Sequence, residues 1–462
     1  MNNLHILEIL PILLYLAAIL AIGIRKRDGD NNAENFMLGG RQLTFPAFIA
    51  TLVTTWYGGI LGVGEFTWLY GVSNWIVFGL PYYIFALIFA FVFAPKIQSA
   101  PMLSIPDQFF HHFGKTGGVL SAIFTFFMVL PAPYVLMVGF LLMWITGWSL
   151  WICIILGTLF SMIYVLNGGF HAVVRTDKLQ FLLMFGGFIL LFGFLVGENG
   201  GIGFLQSNLP ELHLTWHGGN SVQTMLVWFF IAAWTFVDPG FHQRCAAAKS
   251  PKIARNGILA SVGFWLVFDF LTTSCGLYAR ALLDGSGVSP ALSFPVLGHE
   301  VLPPLLSGLF LTGLLATIMS TVDSFSLLSA ITIGHDLIGK WRKPNDVSLL
   351  RTGLAISAII SIGLAIAVPS VINIWLLIGN IFIPPMLLPL VACYFPAANP
   401  GKFWVNINLI GAFAVSFSWL LFSAMGSASL ANLAFAYDIP PMYPGMLFSV
   451  IVFGLGIFRK DN

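Results

Sequence analysis

Charge is what this sequence has least of. Of its 462 residues only 8% are Asp, Glu, Lys or Arg, against about 25% in an average soluble domain. Polar stretches long enough to fold as a soluble domain are missing as well. Cysteine is scarce: Cys153, Cys245, Cys275 and Cys393 stand far apart in or beside apolar runs, so they form neither a disulfide framework nor a zinc spacing and read as small core residues. No complete P-loop occurs; Phe113-Gly114-Lys115-Thr116-Gly117 comes nearest, but Phe109 stands where the leading glycine belongs. That excludes a pump driven by its own nucleotide site and implies no nucleotide partner. HExxH and GxSxG are both absent, and all nine histidines fall at the ends of apolar runs or between them. An intramembrane hydrolase and a haem or copper enzyme are therefore excluded. A net charge of +2 gives no reason to expect a nucleic-acid partner.

What remains is apolar: 58% hydrophobic and 15% aromatic residues, with a mean hydropathy of +0.91. This composition predicts an all-α polytopic membrane protein in contact with lipid. A spanning helix needs roughly 20 mostly apolar residues, and thirteen such segments are found: 5–24, 46–71, 75–95, 118–146, 149–168, 176–197, 222–243, 256–280, 302–334, 349–368, 371–395, 403–424 and 441–458. Met1–Glu8 carries no basic region and no small-residue cleavage pattern follows, so the first run is expected to be a retained helix. Nineteen of the twenty Lys and Arg follow odd-numbered spans, from Arg25, Lys26 and Arg27 through Arg244 to Lys340, Arg342 and Lys343, with only Arg280 on the other side. Basic loops stay in the cytoplasm. The expected placement is the cell membrane, with the amino terminus outside and the carboxyl terminus inside.

Polar groups inside apolar spans are costly and mark function by default. In the ninth span Thr317, Ser320, Thr321 and Ser324 recur at i, i+3, i+4 and i+7, which puts four hydroxyls on one helix face with Asp323 beside them. A hard, partly dehydrated cation such as Na+ takes oxygen ligands of this kind. The bland alternative is that each hydroxyl bonds its own i−4 carbonyl and helps helices pack. The second span carries Thr54-Thr55-Trp56-Tyr57-Gly58-Gly59, with Gly62, Gly64 and Glu65 beyond, and the seventh carries Trp234-Thr235-Phe236-Val237-Asp238-Pro239-Gly240. Glycines in the one and a Pro-Gly pair in the other predict interrupted helices. The two breaks lie five spans apart. Because five is odd, a five-helix unit repeated in tandem has inverted topology, and paired broken helices in such halves point to a transporter's binding site. Asp177 opens the sixth span, where either a helix N-terminal acid or an ion ligand fits. Asp269 stands alone in an aromatic run without an assignable partner.

The chain resembles the sodium:solute symporter family over about residues 36–395. The likeness is carried by Phe36-Met37-Leu38-Gly39-Gly40-Arg41 before the second span and by Gly168-Gly169-Phe170-His171-Ala172-Val173 with Thr176-Asp177 and Gln180 at the fifth-to-sixth junction. Gln243-Arg244 with Ala247-Ala248-Lys249-Ser250 after the seventh span and Met319-Ser320-Thr321-Val322-Asp323-Ser324 in the ninth complete it. The resemblance implies a leucine-transporter-like fold: one transporter domain over 1–462, repeats at about 44–198 and 221–396 (spans 2–6 and 7–11), and extra helices at 5–24, 403–424 and 441–458. It implies Na+ as the coupling ion, bound by main-chain oxygens of Thr54 and Tyr57, the Thr317 carbonyl and the hydroxyls of Ser320 and Thr321. A second ion or proton site falls on Asp177, Ser320, Asp323 and Ser324; the carboxylate at 323, where relatives can have a hydroxyl, either strengthens that site or holds a proton. The solute falls to Trp56, Gly58, Gly59, Trp234, Phe236 and Asp238.

The expected activity is thus sodium-coupled symport of a small organic solute by alternating access, not enzymatic catalysis. Ile60-Leu61 after the first break argues against a sugar, and Asp238 among aromatics suits an amine or quaternary ammonium group. A proton-coupled symporter with Asp177 or Asp323 as carrier is the alternative, distinguished by pH-driven uptake without sodium. A transporter-like substrate sensor would need an appended signalling domain, which this sequence does not contain.

Overall fold

The computed structural model describes residues 4–24, 33–341, 347–426 and 435–460. Helices make up all the secondary structure among the described residues, apart from one isolated bridge between Leu43 and Ala248. Among the described residues twelve helices are long and apolar enough to cross a membrane, and a shorter apolar helix, Leu150–Leu166, lies between the fourth and the next of them. In chain order we label these α1 (Ile6–Gly23), α2 (Phe45–Tyr70), α3 (Trp75–Val92), α4 (Ile105–Thr146), α5 (Leu150–Leu166), α6 (Gly168–Asn199), α7 (Val222–Ala247), α8 (Pro251–Leu283), α9 (Pro304–Ile338), α10 (Val347–Ala367), α11 (Val371–Tyr394), α12 (Lys402–Met425) and α13 (Met442–Arg459). The chain is a multi-pass membrane protein.

Three of the thirteen expected segments differ from the observed helices for a local reason. The fourth starts at Ile105 rather than 118, because Ser104 Oγ accepts from the Asp107 amide (3.1 Å) and caps a first stretch too polar to register as apolar. The fifth and sixth run together as Leu150–Asn199, turned only at Gly169 (φ 49°, ψ −141°). That backbone conformation favours glycine, and a Cβ there would come within 2.6 Å of the Phe36 carbonyl oxygen. Of the basic residues on which the expected orientation rests, Arg25, Lys26, Arg27, Arg342 and Lys343 lie outside the described residues.

Burial separates the helices into centre and periphery. In the most apolar windows of α2 and α9, 89% and 83% of residues are buried, against 28% in α1 and 33% in α6, α12 and α13. Helices apolar all round form the centre, whereas peripheral helices leave apolar side chains such as Leu182, Ile189 and Phe417 exposed, as a lipid-facing surface requires. The continuous α5–α6 segment packs most extensively against α9, and α8 packs along α2. At one end the chain entering α2 pairs with the end of α7: Leu43 N donates to Ala247 O (2.9 Å) and Lys249 N to Leu43 O (3.1 Å). An ion network ties α4 to α9, where Asp107 accepts from His335 Nε2 (3.2 Å) and from Lys340, and Ser104 donates to Asp336 (2.6 Å).

Candidate functional site

The two expected breaks are present but differ in kind. α2 is a helix over Phe45–Trp56 and again over Ile60–Tyr70, joined by a tighter 3₁₀ turn at Tyr57–Gly59. α7 opens more fully. Its first helix ends at Ile231, a single turn covers Trp234–Val237, and Asp238 is extended (φ −73°, ψ 115°) before Pro239 starts the last segment, Pro239–Ala247. The Asp238 carboxylate accepts from the Phe241 amide (2.9 Å) and so caps that segment.

The hydroxyl face of α9 is seated on the turn of α2. Thr321 Oγ1 donates to Thr55 O at 2.7 Å and lies 3.5 Å from Thr54 O. The contact is so close that a Cβ on Gly58 would stand 2.0 Å from Thr321 Oγ1, while one on Gly59 would stand 2.4 Å from the Trp375 ring of α11. The glycine pair therefore serves both readings of the sequence: it relaxes the helix, and it lets a hydroxyl from α9 and an indole from α11 reach the backbone. Ser320 Oγ donates to Asp177 Oδ1 (2.6 Å), which joins α9 to α6. Thr317 Oγ1 donates to the Gly313 carbonyl (2.7 Å) and Thr54 Oγ1 to that of Ala50 (2.8 Å), so these two hydroxyls take the local i−4 pattern within their own helices.

Beyond Ser320 the acids form a second buried cluster. Asp323 accepts from Tyr164 (2.6 Å) and from Ser161. Gln180 donates to Tyr15 (3.0 Å). Asp177 Oδ2 and Gln180 Oε1 are buried without a hydrogen-bond partner, which leaves acceptor capacity for a cation or proton. Ser324 is placed away from this cluster. One position further round the helix, its hydroxyl pairs with Thr55 Oγ1 (2.9 Å) and accepts from Arg244 (2.7 Å).

A cavity of about 120 Å³ opens beside the turn of α2. Trp56, Gly59, Trp234 and Asp238 line it, as does Tyr57. Gly58 and Phe236 do not: Gly58 faces Thr321, and Phe236 packs against Phe85 and Phe93 with ring centroids 5.4 and 5.5 Å away. The reason is angular, since residues one or two apart on a helix point in different directions. Sequence reasoning missed Tyr82, Tyr134, Trp228, Trp375, Arg244 and Asp269, which also line it. For the aromatics no signal distinguishes a cavity wall from ordinary core. For Asp269 a buried acid among aromatics is the signal, and its partner is Tyr83, whose hydroxyl donates to it and in turn accepts from Trp75 Nε1 (3.0 Å). Arg244 counted as a loop cation in the sequence, yet it is fully buried. Glu65 is half-buried in the second part of α2 and outside both clusters.

Residues 36–417 match the model of the sodium:solute symporter family. The chain is 27% identical to the sodium/pantothenate symporter of Haemophilus influenzae, with 97% of this chain and 95% of that protein covered. It is 25% identical to the osmoregulated proline transporter OpuE of Bacillus subtilis over 95% of this chain and 92% of the relative. Among solved structures, that of a Na+-coupled sialic acid symporter in a substrate-bound outward-open state superimposes with a TM-score of 0.78 at 17% identity, covering 98% of both chains. Its fold is shared.

Proposed function

Because the chain belongs to the sodium:solute symporter family, and so couples transport of a solute to Na+, we propose that sodium enters where α9 is seated on the turn of α2. The ligands are the main-chain oxygens of Thr54, Tyr57 and Thr317 with the hydroxyls of Ser320 and Thr321. The carrying observation is the contact of Thr321 with the α2 backbone over Gly58. Oxygen ligands about 2.4 Å from a hard cation stand roughly 3.4 Å apart along an octahedral edge; Thr321 Oγ1 and Thr54 O, at 3.5 Å, have that spacing. Asp177, Asp323 and the free oxygen of Gln180 form a second ion or proton site.

The solute occupies the aromatic cavity, and coupling follows from shared residues. Tyr57 offers its carbonyl to sodium and its side chain to the cavity wall. Sodium that orders the α2 turn thereby shapes the cavity, and it promotes binding only as far as it favours one conformation over another. The inverted repeats at about 44–198 and 221–396 place the α2 and α7 breaks at equivalent positions, so that one half can rock against the other around the site. With the carboxyl terminus in the cytoplasm of a cell at −100 mV, each inward positive charge adds about 2.3 kcal/mol of drive. The cavity combines two acids, Asp238 and Asp269, against one base, Arg244, with Trp and Tyr faces, and the excess of acid suits a solute bearing an amine or quaternary ammonium group.

The deciding experiment is uptake into proteoliposomes with and without a sodium gradient, for the wild type and for Ser320→Ala with Thr321→Ala. Sodium stimulation vanishes in the double variant while the protein still inserts. Undiminished stimulation removes the site.

A further inference from the structure

Arg244 is the one residue of the solute cavity wall that carries a fixed positive charge, and it also touches the residues that frame the sodium site. Its Nη2 donates to Thr55 Oγ1 (2.9 Å), Ser324 Oγ (2.7 Å) and Thr51 Oγ1 (3.1 Å), and its Nη1 donates to Gln243 Oε1 (2.8 Å). The side chain is fully buried, its Nε has no partner, and among the described residues no ion pair to a carboxylate involves it. Every group that holds it is neutral. Asp177 and Asp238 act on it through space without a direct ion pair, and a buried ion so placed inside a membrane protein is expensive and marks an ion pathway.

We propose that Arg244 is a positioning charge that holds down the affinity of the adjacent sodium site, so that the ion leaves once the site opens to the cytoplasm. The inference rests on the assignment of that site to α2 and α9. Thr55, whose hydroxyl accepts from the guanidinium, is also the residue whose carbonyl accepts from Thr321. Ser324 stands three residues after Thr321, about 4.5 Å along the helix axis. With one layer of side chains between them, the guanidinium and the proposed ion are taken as roughly 7 Å apart. Two unit positive charges at that distance, in an effective dielectric of about 20, repel by an amount equal to roughly 50-fold in affinity. Asp177, bonded to Ser320 on the other side of the site, pulls the opposite way. The balance of the two sets a sodium affinity weak enough for turnover. The charge also bridges three elements, since Arg244 belongs to α7, Thr51 and Thr55 to α2, and Ser324 to α9. Displacing it therefore couples the ion site to the broken helix that lines the solute cavity.

The test is equilibrium binding of ²²Na+ to the purified full-length protein without solute. Arg244→Gln keeps hydrogen-bonding capacity and removes the charge; it lowers the half-saturating sodium concentration by about tenfold or more. Arg244→Lys loses the planar fork and keeps the charge; it stays within about threefold of wild type at neutral pH. Raising the pH supplies a second readout that does not depend on Arg244→Gln folding. A buried lysine can shed its proton where arginine keeps its own, so sodium binding by Arg244→Lys tightens with rising pH relative to the wild type, which carries the same Asp177, Asp238, Asp323 and Tyr57. Unchanged or weaker binding in folded Arg244→Gln overturns the proposal, and so does an Arg244→Lys pH profile parallel to wild type. If Ser320→Ala with Thr321→Ala binds sodium as the wild type does, the site assignment itself fails and this inference with it. If that double variant loses sodium but Arg244→Gln matches wild type, only the role of Arg244 fails.

Discussion

Gly58→Ala tests the contact on which the sodium site depends. The added Cβ would stand 2.0 Å from Thr321 Oγ1 and 2.2 Å from its Cβ, where ordinary contact begins at 3.4 Å. Either the α2 turn or Thr321 has to move by more than 1 Å, because the obstructing atoms belong to a short β-branched side chain with little freedom on a helix. Overpacking of this kind costs about 1–3 kcal/mol. Losing the 2.7 Å bond from Thr321 leaves the Thr55 carbonyl unpaired in a buried place, which costs a further 1–3 kcal/mol or so. The proposed sodium cage loses one ligand hydroxyl. A hydrogen-bond-sized interaction with a charged group is worth about 1.5–3 kcal/mol, so sodium binding weakens at least tenfold, since each 1.4 kcal/mol is a factor of about ten. The measurement is thermal unfolding of the purified protein against sodium concentration, together with uptake. The expected outcome is a lower melting temperature without sodium and a sodium-dependent rise displaced to much higher concentration. Gly186→Ala on peripheral α6, where a Cβ meets nothing within 4 Å, is the control and leaves both unchanged. A wild-type sodium response in folded Gly58→Ala would refute the contact as part of the site.

Further outcomes follow from the same geometry. Asp238→Asn keeps a good helix cap, so stability changes by only a few tenths of a kcal/mol, while uptake of an amine-bearing solute loses affinity about tenfold; competition by carboxylate anions and not by cations would refute the amine reading. Phe236→Ala destabilises the protein by about 3–5 kcal/mol through its lost contacts with Phe85 and Phe93, yet leaves the solute KM near wild type in the fraction that folds; a large KM change with unaltered thermal stability would place Phe236 in the cavity after all. Thr317→Val removes a hydroxyl already spent on the Gly313 carbonyl, so sodium half-saturation stays within about twofold; loss of sodium dependence would show that the hydroxyl itself binds the ion.

The composition alone carried the membrane assignment, because an apolar chain this poor in charge has no water-soluble way to fold. The hydroxyl stripe of α9 was legible for a related reason: helical periodicity puts positions 317, 320, 321 and 324 on one face whatever the surroundings. The breaks at Tyr57–Gly59 and Asp238–Pro239 were legible from glycine and proline chemistry, which acts on the backbone locally. Legibility ended where distance along the chain exceeded a few turns. Ser324 belongs with Arg244 and Thr55 rather than with Asp177 because α7 and α2 meet α9 on that side, and no periodicity in α9 encodes which neighbour arrives. Arg244 looked like a loop cation for the same reason.

Thus the sequence by itself determined which segments are helical, where two of them weaken, and which face of α9 is polar, since all three depend on neighbours within a turn or two. The tertiary structure decided which of those polar atoms reach across to another helix. Thr317 and Thr54 spend their hydroxyls on their own helices, Thr321 reaches across to α2, and Asp177 keeps one oxygen unbonded. The proposed ion site needs oxygens from separate helices to converge, and in a medium without water only packing between distant segments determines where they do.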